Sequence, residues 1–344
     1  MDWNGAYTAL VTPFAGGGLD AEAFVRNVQF QNENGIAGMV VCGTTGESPT
    51  LSIQEKRRLF ELLAERGTGI RIAGTGGNNT AETASKTAAA QELGYEAALL
   101  VDCYYNGPSS MELRQEYYSA VAGRFPELQL IPYVIPGRSG CELAVEDLAI
   151  LAGQHANITA VKEATGNLER MRRTRQLCGS GFAIFSGDDD KTLAMLADPA
   201  IRAAGVISVA SNVVPKAVAQ LCSLASTGDV EQARQLNEAL SPLFSVITVK
   251  TVESVRVNGS ALQVAQKFRN PLPYKVLMNG LGIPAGPCRQ PLGRMSKAGV
   301  AQVRQAARIT WERNPELLEP LQEFYGVDIA ERIASDAHWS THYG

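Results

Sequence analysis

Histidine is scarce in this chain: three in 344 residues, His155, His338 and His342, two of them among the last seven positions. A Ser-His-Asp triad or a histidine metal cage is hard to assemble from so few. No metal or organic cofactor is expected, and chemistry must run on Lys, Tyr, Thr, Arg or carboxylates. The six cysteines (42, 103, 141, 178, 222 and 288) contain no C-x-x-C pair. They read as reduced, mostly buried thiols of a cytoplasmic protein rather than as a disulfide frame or zinc site. No apolar run approaches the roughly 20 residues that span a bilayer, and the amino terminus lacks a secretory-signal pattern. Excess positive charge is missing too. With a net charge of -4 and a pI near 5.6, nothing marks the chain for nucleic acid. The only basic cluster, Arg170, Arg172, Arg173 and Arg175, reads as the solvated face of a helix. No internal repeat or low-complexity segment is evident.

What is present is apolar and periodic. Hydrophobic residues make up 45% of the sequence and charged residues 19%, which suits a substantial core. Short, nearly continuous apolar runs recur at 6–13, 38–43, 71–76, 96–103, 129–136, 158–164, 182–188 and 203–209. Helical patterns fill the gaps: Leu59, Leu62 and Leu63 fall at i, i+3, i+4, and Ser52 to Glu55 spells a capping box. Strands buried on both faces and alternating with helices form parallel sheets. Eight such units predict an α/β fold, a (β/α)8 TIM barrel, although spacing alone leaves an open doubly wound sheet available. The barrel core is assigned to 1–213. The last barrel helix and a C-terminal helical layer, read as helix and loop, take 214–310. A tail at 311–344 carries Trp311, Phe324, Tyr325, Trp339 and Tyr343, aromatic enough to dock on protein. In it, Asn314 and Pro315 read as a helix start.

In an α/β barrel, reacting groups sit where strands end. Those positions hold Thr44, Thr45 and Glu47 after the second strand, Tyr104 and Tyr105 after the fourth, Tyr133 and Arg138 at the fifth, and Lys162 in the sixth. The seventh run ends in "FSGDDDK". Lys162 stands out, because lysine is rarely buried without a reason. Alternation puts it on the side of Ile158 and Ala160, with Glu163 opposite. A lysine at a strand end could simply reach water or a carboxylate. The tyrosines, threonines and arginine at neighbouring strand ends favour a desolvated amine that attacks a carbonyl to form a Schiff base. The turn "GTGGNNT" at 74–80 could suggest phosphate binding, but no Walker lysine follows and it reads as a barrel turn.

The segments "GTTGES", "YYNGPS", "YVIPGRSG", "VKEATGN", "FSGDD" and "GVISVASNVVP" resemble, in order and spacing, the dihydrodipicolinate synthase / N-acetylneuraminate lyase family, from about residue 5 to 307. The resemblance implies a (β/α)8 barrel in which Lys162 forms a Schiff base with the ketone of pyruvate. It implies that Thr44, Tyr133 and Tyr105 relay protons, Tyr105 reaching into a neighbouring subunit's site. Thr45 would hold the pyruvate carboxylate, helped by main-chain groups near Gly187 and Ile207. The glycines flanking the threonines would let the backbone approach closely, and the following helix start would favour an anion. The partners implied are pyruvate, a small aldehyde and further copies of the chain, usually a dimer of dimers.

Arg138 in "PGRSG" resembles the arginine with which the synthases of this family clamp L-aspartate 4-semialdehyde. The doubled threonine points the same way, towards a synthase of lysine/diaminopimelate biosynthesis. The alternative is an aldolase or dehydratase for a sugar-derived 2-keto acid, N-acetylneuraminate lyase-like or 2-keto-3-deoxy-gluconate-type. A non-catalytic barrel is a remote third reading. Asp102 and Cys103 stand where Thr-Pro is common, Val134 where asparagine is usual, and Pro132 removes a donor inside a strand. In lysine-inhibited relatives the effector lies at the dimer interface, at positions matching Ser48, Asn78, Glu82 and Tyr104. Ile53 and Lys56 stand where histidines often sit, and the Lys56 ammonium predicts weak or absent inhibition.

Overall fold

The computed structural model describes residues 1–343. All eight apolar runs form strands: β1 (Gly5–Ala9), β2 (Gly38–Val41), β3 (Ile70–Gly74), β4 (Ala97–Val101), β5 (Gln129–Val134), β6 (Ala160–Glu163), β7 (Ala183–Ser186) and β8 (Gly205–Ser208). Each pairs in parallel with the next, and β8 returns to β1, closing the barrel. The open doubly wound sheet is thereby excluded. Each strand is shorter than its apolar run, because the run continues into the loop that follows.

Alternation sorts the strand residues into two cores. Tyr7, Val40, Ile72, Leu99, Ile131, Tyr133, Ala160, Phe185 and Ile207 fill the barrel interior. Their neighbours, among them Met39, Val41, Leu100, Val134, Val161 and Ile184, face the helices. Ile158 belongs to the outer core rather than to the side of Lys162, since it precedes the strand proper. Ser52 and Glu55 make the predicted capping box for the helix Ile53–Arg66. The 74–80 turn delivers Asn79 as N-cap of the helix Thr80–Glu92.

Pro132 is accommodated because of register. The pairing of β5 with β6 begins at Tyr133↔Lys162. Upstream, Leu130 N–H bonds to Asn157 O, while the carbonyl of Thr159 accepts from Ala183 on the far side. A residue-132 N–H would therefore have no ladder partner to lose.

Three expectations need correcting. The region after 213 is not only helix and loop: between the helices Val230–Ser245 and Leu272–Leu281 stands an antiparallel hairpin, β9 (Thr248–Val257) and β10 (Ser260–Arg269). Its outer half is exposed on both faces, so neither a buried apolar run nor a strict alternation marks it. The arginine cluster is only partly a solvated face of the helix Leu168–Cys178. Arg170 bridges Glu163, Glu142 and the Leu143 carbonyl, and Arg175 donates to four carbonyls, those of Ile201, Gly179, Phe182 and Arg202. Of the six thiols only Cys42 and Cys222 are fully buried, and none is bridged.

The tail docks. Asn314 and Pro315 open a single 3-10 turn, Pro315–Leu317, ahead of the helix Glu319–Tyr325. Phe324 and Tyr325 pack on Phe30. The Trp339 ring lies over Gly280, where a Cβ would fall 2.4 Å from the indole, so only glycine admits it. Among the described residues no helix is long and apolar enough to cross a membrane.

Candidate active site

The carboxyl ends of the barrel strands open into a cavity of about 230 Å³ whose wall includes Thr44, Thr45, Tyr133, Arg138, Lys162, Gly187 and Asp188. Lys162 and Tyr133 come together because β5 and β6 pair these two residues directly. The Lys162 Nζ lies 4.3 Å from the centroid of the Tyr133 ring. It is 5% exposed, and among the described residues it has no ion pair. Burial pushes its amine down to about 8, although Asp188 and Asp189 pull the other way. Glu163 faces outward, where Arg170 and Thr165 hold it.

Burial pushes the Tyr133 phenol up to about 12, while Arg138 and then Thr44 act against that. The phenol therefore stays protonated at neutral pH, fit to donate and recover a proton beside the lysine. Thr45 is buried, and its Oγ1 accepts from Asn270 Nδ2 at 3.0 Å. The carbonyl of the same Asn270 accepts from Arg138 Nη2 at 2.9 Å. Asn270 thus ties the threonine loop to the arginine turn, a role with no sequence signal beyond an Asn-Pro turn.

Of the two glycines flanking the threonines, Gly46 is the more closely packed. A Cβ there would sit 3.2 Å from the Leu10 carbonyl and from Thr12 Oγ1, whereas one on Gly43 would meet only Val40 Cγ1, at 3.7 Å. The anion-favouring helix start is not at the threonines: a 3-10 turn, Ser48–Thr50, follows, and the helix begins at Ile53. Gly187 lines the cavity, but its N–H is already given to the Glu163 carbonyl at 2.7 Å, leaving its carbonyl for a ligand. Ile207 is packed in the barrel interior and is not part of the cavity wall. Tyr105 points away from its own site: it is 90% exposed on a left-handed backbone with φ of 81°.

Glu47 has a structural role. It lies at φ 55° and is wholly buried, and it takes a 2.8 Å ion pair from Lys275 and the backbone N–H of Arg289. Lys275 also donates to the carbonyls of Thr12 and Pro287. The pair clamps the threonine loop to the C-terminal layer.

A second cavity, of about 450 Å³, shares Thr44, Tyr133 and Arg138 with the first and is also lined by Ser48, Lys56, Glu82, Lys86 and Tyr104. Asn78 is exposed and Ile53 points to solvent, both outside this wall. Lys56 is 8% exposed with no bonded partner among the described residues, and burial and then Lys86 disfavour its charge. The one carboxylate in the wall, Glu82, already pairs with Lys86 at 3.3 Å. A further ammonium is opposed there, so weak or absent inhibition by free L-lysine is expected, with any half-inhibition above roughly 1 mM. A submillimolar value in a lysine titration overturns this.

The model of the dihydrodipicolinate synthetase family matches residues 2–310. A 4-hydroxy-tetrahydrodipicolinate synthase of Aquifex aeolicus is 37% identical over 308 residues, covering 89% of this chain and 97% of the relative. One from Methanothrix thermoacetophila is 37% identical over 304 residues, 88% of this chain and 95% of the relative. Among solved structures, the dihydrodipicolinate synthase of Aquifex aeolicus superposes with a TM-score of 0.79 at 37% identity, covering 89% of this chain and 97% of that one. The 4-hydroxy-tetrahydrodipicolinate synthase of Methylacidiphilum fumariolicum SolV gives 0.80 at 34%, covering 92% and 99%. A closed parallel barrel with a buried, unpaired lysine beside a tyrosine, together with matches over nearly nine-tenths of the chain, leads to one conclusion: the chain belongs to the dihydrodipicolinate synthetase family.

Proposed function

We propose that this protein condenses pyruvate with L-aspartate 4-semialdehyde to 4-hydroxy-tetrahydrodipicolinate through a Schiff base on Lys162, in lysine/diaminopimelate biosynthesis in the cytoplasm. The observation that carries the reading is the buried Lys162 amine, unpaired and set over the Tyr133 ring. The neutral Nζ attacks the ketone carbon of pyruvate, and loss of water gives the iminium. Tyr133, which shares the cavity wall with Thr44, supplies and recovers the protons of those steps. Thr45 Oγ1, fixed by Asn270, holds the pyruvate carboxylate. Removal of a methyl proton then gives an enamine, with the iminium nitrogen as electron sink. The enamine carbon attacks the aldehyde, and the acceptor's amino group closes onto the imine carbon, releasing Lys162.

Tyr105 completes the relay in a neighbouring copy, which requires at least a homodimer and fits a dimer of dimers. Its exposed ring supports this, being held outward on a backbone that non-glycine residues seldom adopt. Arg138 at the mouth receives the acceptor's carboxylate, which favours the aspartate semialdehyde reading over a sugar-derived acid.

The amine gives a pH signature. At pH 7 an amine with a pKa of about 8 is about one-tenth neutral, against a few parts in 10⁴ for an ordinary lysine. Below pH 8 the rate of pyruvate imine formation is expected to fall about tenfold per unit, and above it to level off. Borohydride trapping in single turnover reads this directly, and a flat profile from pH 6 to 8 contradicts it. For the acceptor, Arg138→Ala is expected to raise the KM for aspartate semialdehyde roughly 10- to 100-fold, the worth of a charge-assisted bond. Pyruvate trapping on Lys162 should persist. Unaltered turnover of aspartate semialdehyde in this variant removes the acceptor assignment.

A further inference from the structure

The hairpin β9–β10 has two unlike faces. Paired residues of an antiparallel ladder share a face, so Val249 and Phe268 lie together, as do Thr251 and Gln266. That face is docked: Val249 is buried, Phe268 packs against Gly299, and Thr251 Oγ1 meets Ser296 Oγ at 3.3 Å. The opposite face carries Thr248, Lys267 and Arg269, and these line the active-site cavity opposite Lys162.

Lys267 and Arg269 have no carboxylate partner among the described residues. Arg269 Nη1 donates to the Gly137 carbonyl at 3.0 Å, which sets its guanidinium beside the turn that carries Arg138. Burial pushes the charged form of Arg138 down, and Arg269 presses the same way. The mouth therefore holds three cations, Arg138, Lys267 and Arg269, while the carboxyl in the wall, Asp188, lies deep enough to act on Lys162. Asp188 acts on Arg138 as well as on Lys162, but it is the one carboxyl of a wall that holds four cations, Arg138, Lys162, Lys267 and Arg269. Like-charged side chains gathered in excess of their counter-ions raise the potential of a cleft and draw anions into it.

We propose that Lys267 and Arg269 are specificity-determining residues that act with Arg138 as the subsite for the carboxylate of the acceptor aldehyde. The aldehyde enters carbonyl first, with its carboxylate end held at the rim by the hairpin. The subsite takes aldehydes that carry a carboxylate at the end remote from the carbonyl and discriminates against neutral ones. This deepens the function proposed above and rests on its acceptor assignment.

The test compares Lys267→Ala/Arg269→Gln with wild type, and Arg269→Lys as the charge-keeping control. In the double variant the KM for aspartate semialdehyde should rise about tenfold or more, with kcat and the pyruvate KM within twofold. For wild type, kcat/KM for the acceptor should fall steeply between about 20 and 500 mM salt, and this dependence should flatten in the double variant. Arg269→Lys should stay close to wild type. An unchanged acceptor KM overturns the proposal, and so does an equal rise in both KM values, which would mark the hairpin as merely structural. Should wild type leave aspartate semialdehyde unconsumed, the acceptor assignment fails by itself. The hairpin is then read with glutarate as inhibitor of borohydride trapping by pyruvate. Inhibition about tenfold weaker in the double variant supports the carboxylate subsite, and equal inhibition overturns it.

Discussion

Lys162→Ala should abolish the borohydride-trapped pyruvate adduct and lower kcat by about 10⁴-fold or more, some 5.5 kcal/mol of transition-state stabilisation. The chain should still fold as well as before. Lys162 forms no ion pair among the described residues, and its amine lies over the Tyr133 ring in a pocket that disfavours its charge. Removing it leaves no buried partner unsatisfied. An amine held this way serves activity at the expense of stability, so Lys162→Met should unfold at the same temperature as wild type or a higher one. Peptide mapping after reduction, with a thermal melt of each variant, checks both halves. Full activity in Lys162→Ala would rule out a Schiff base at this residue, and a loss of stability would mean that the lysine is a structural residue.

The second buried lysine should behave in the opposite way. Lys275 and Glu47 are 1% and 0% exposed, and each also holds backbone groups: Lys275 the carbonyls of Thr12 and Pro287, Glu47 the N–H of Arg289. Taking away one partner leaves a charge buried without its counter-ion, which costs about 3–5 kcal/mol. Either Glu47→Ala or Lys275→Ala should therefore lower the denaturant midpoint clearly and Tm by roughly 5–10 °C. Replacing both, as Glu47→Gln with Lys275→Met, should cost less than the sum of the single changes, because no lone charge remains. Glu47 also sits in a left-handed conformation that costs about 1–3 kcal/mol and persists only where surrounding bonds impose it. Freed of the pair, the Thr44–Thr45 loop relaxes, so the KM for pyruvate should rise in Glu47→Ala even at temperatures where the variant is folded. Single-variant losses below about 1 kcal/mol would contradict this account.

These two lysines show where reading the sequence stops. Each lies among apolar neighbours, Lys162 after Ile158, Ala160 and Val161, and Lys275 between Leu272 and Leu277. Both therefore stand out equally in the sequence, yet Lys162 has no ion pair among the described residues and Lys275 is an anchor. What separates them is a carboxylate 228 positions away in the chain, brought to 2.8 Å by the C-terminal layer. The local pattern carries no trace of that contact. Arg170 and Arg175 make the same point: both lie on a helix that reads as a solvated basic face, yet Arg170 is taken up by Glu142 and the Leu143 carbonyl and Arg175 by the Ile201 carbonyl, all more than 25 positions away.

The eight strands and their order were legible because burial on both faces of a parallel sheet writes itself as continuous apolar runs, and because crossover helices leave a regular spacing. Closure of the sheet into a barrel was not, since an open doubly wound sheet shares that repetition and the pairing of β8 with β1 decides between them. The strand-end positions of Thr44, Thr45, Tyr133, Arg138 and Lys162 were legible for the same reason, since a strand's end fixes where its last side chains point. The hairpin was not, because its outer half is exposed on both faces, and exposure leaves no constraint on hydrophobic pattern. Nor was Asn270, whose bonds to Thr45 and Arg138 exist only once the chain has closed around the barrel. Local periodicity therefore determined the strands and the strand-end positions of the candidate residues. Contacts between parts of the chain far apart in sequence decided which lysine stays free and which cations guard the mouth.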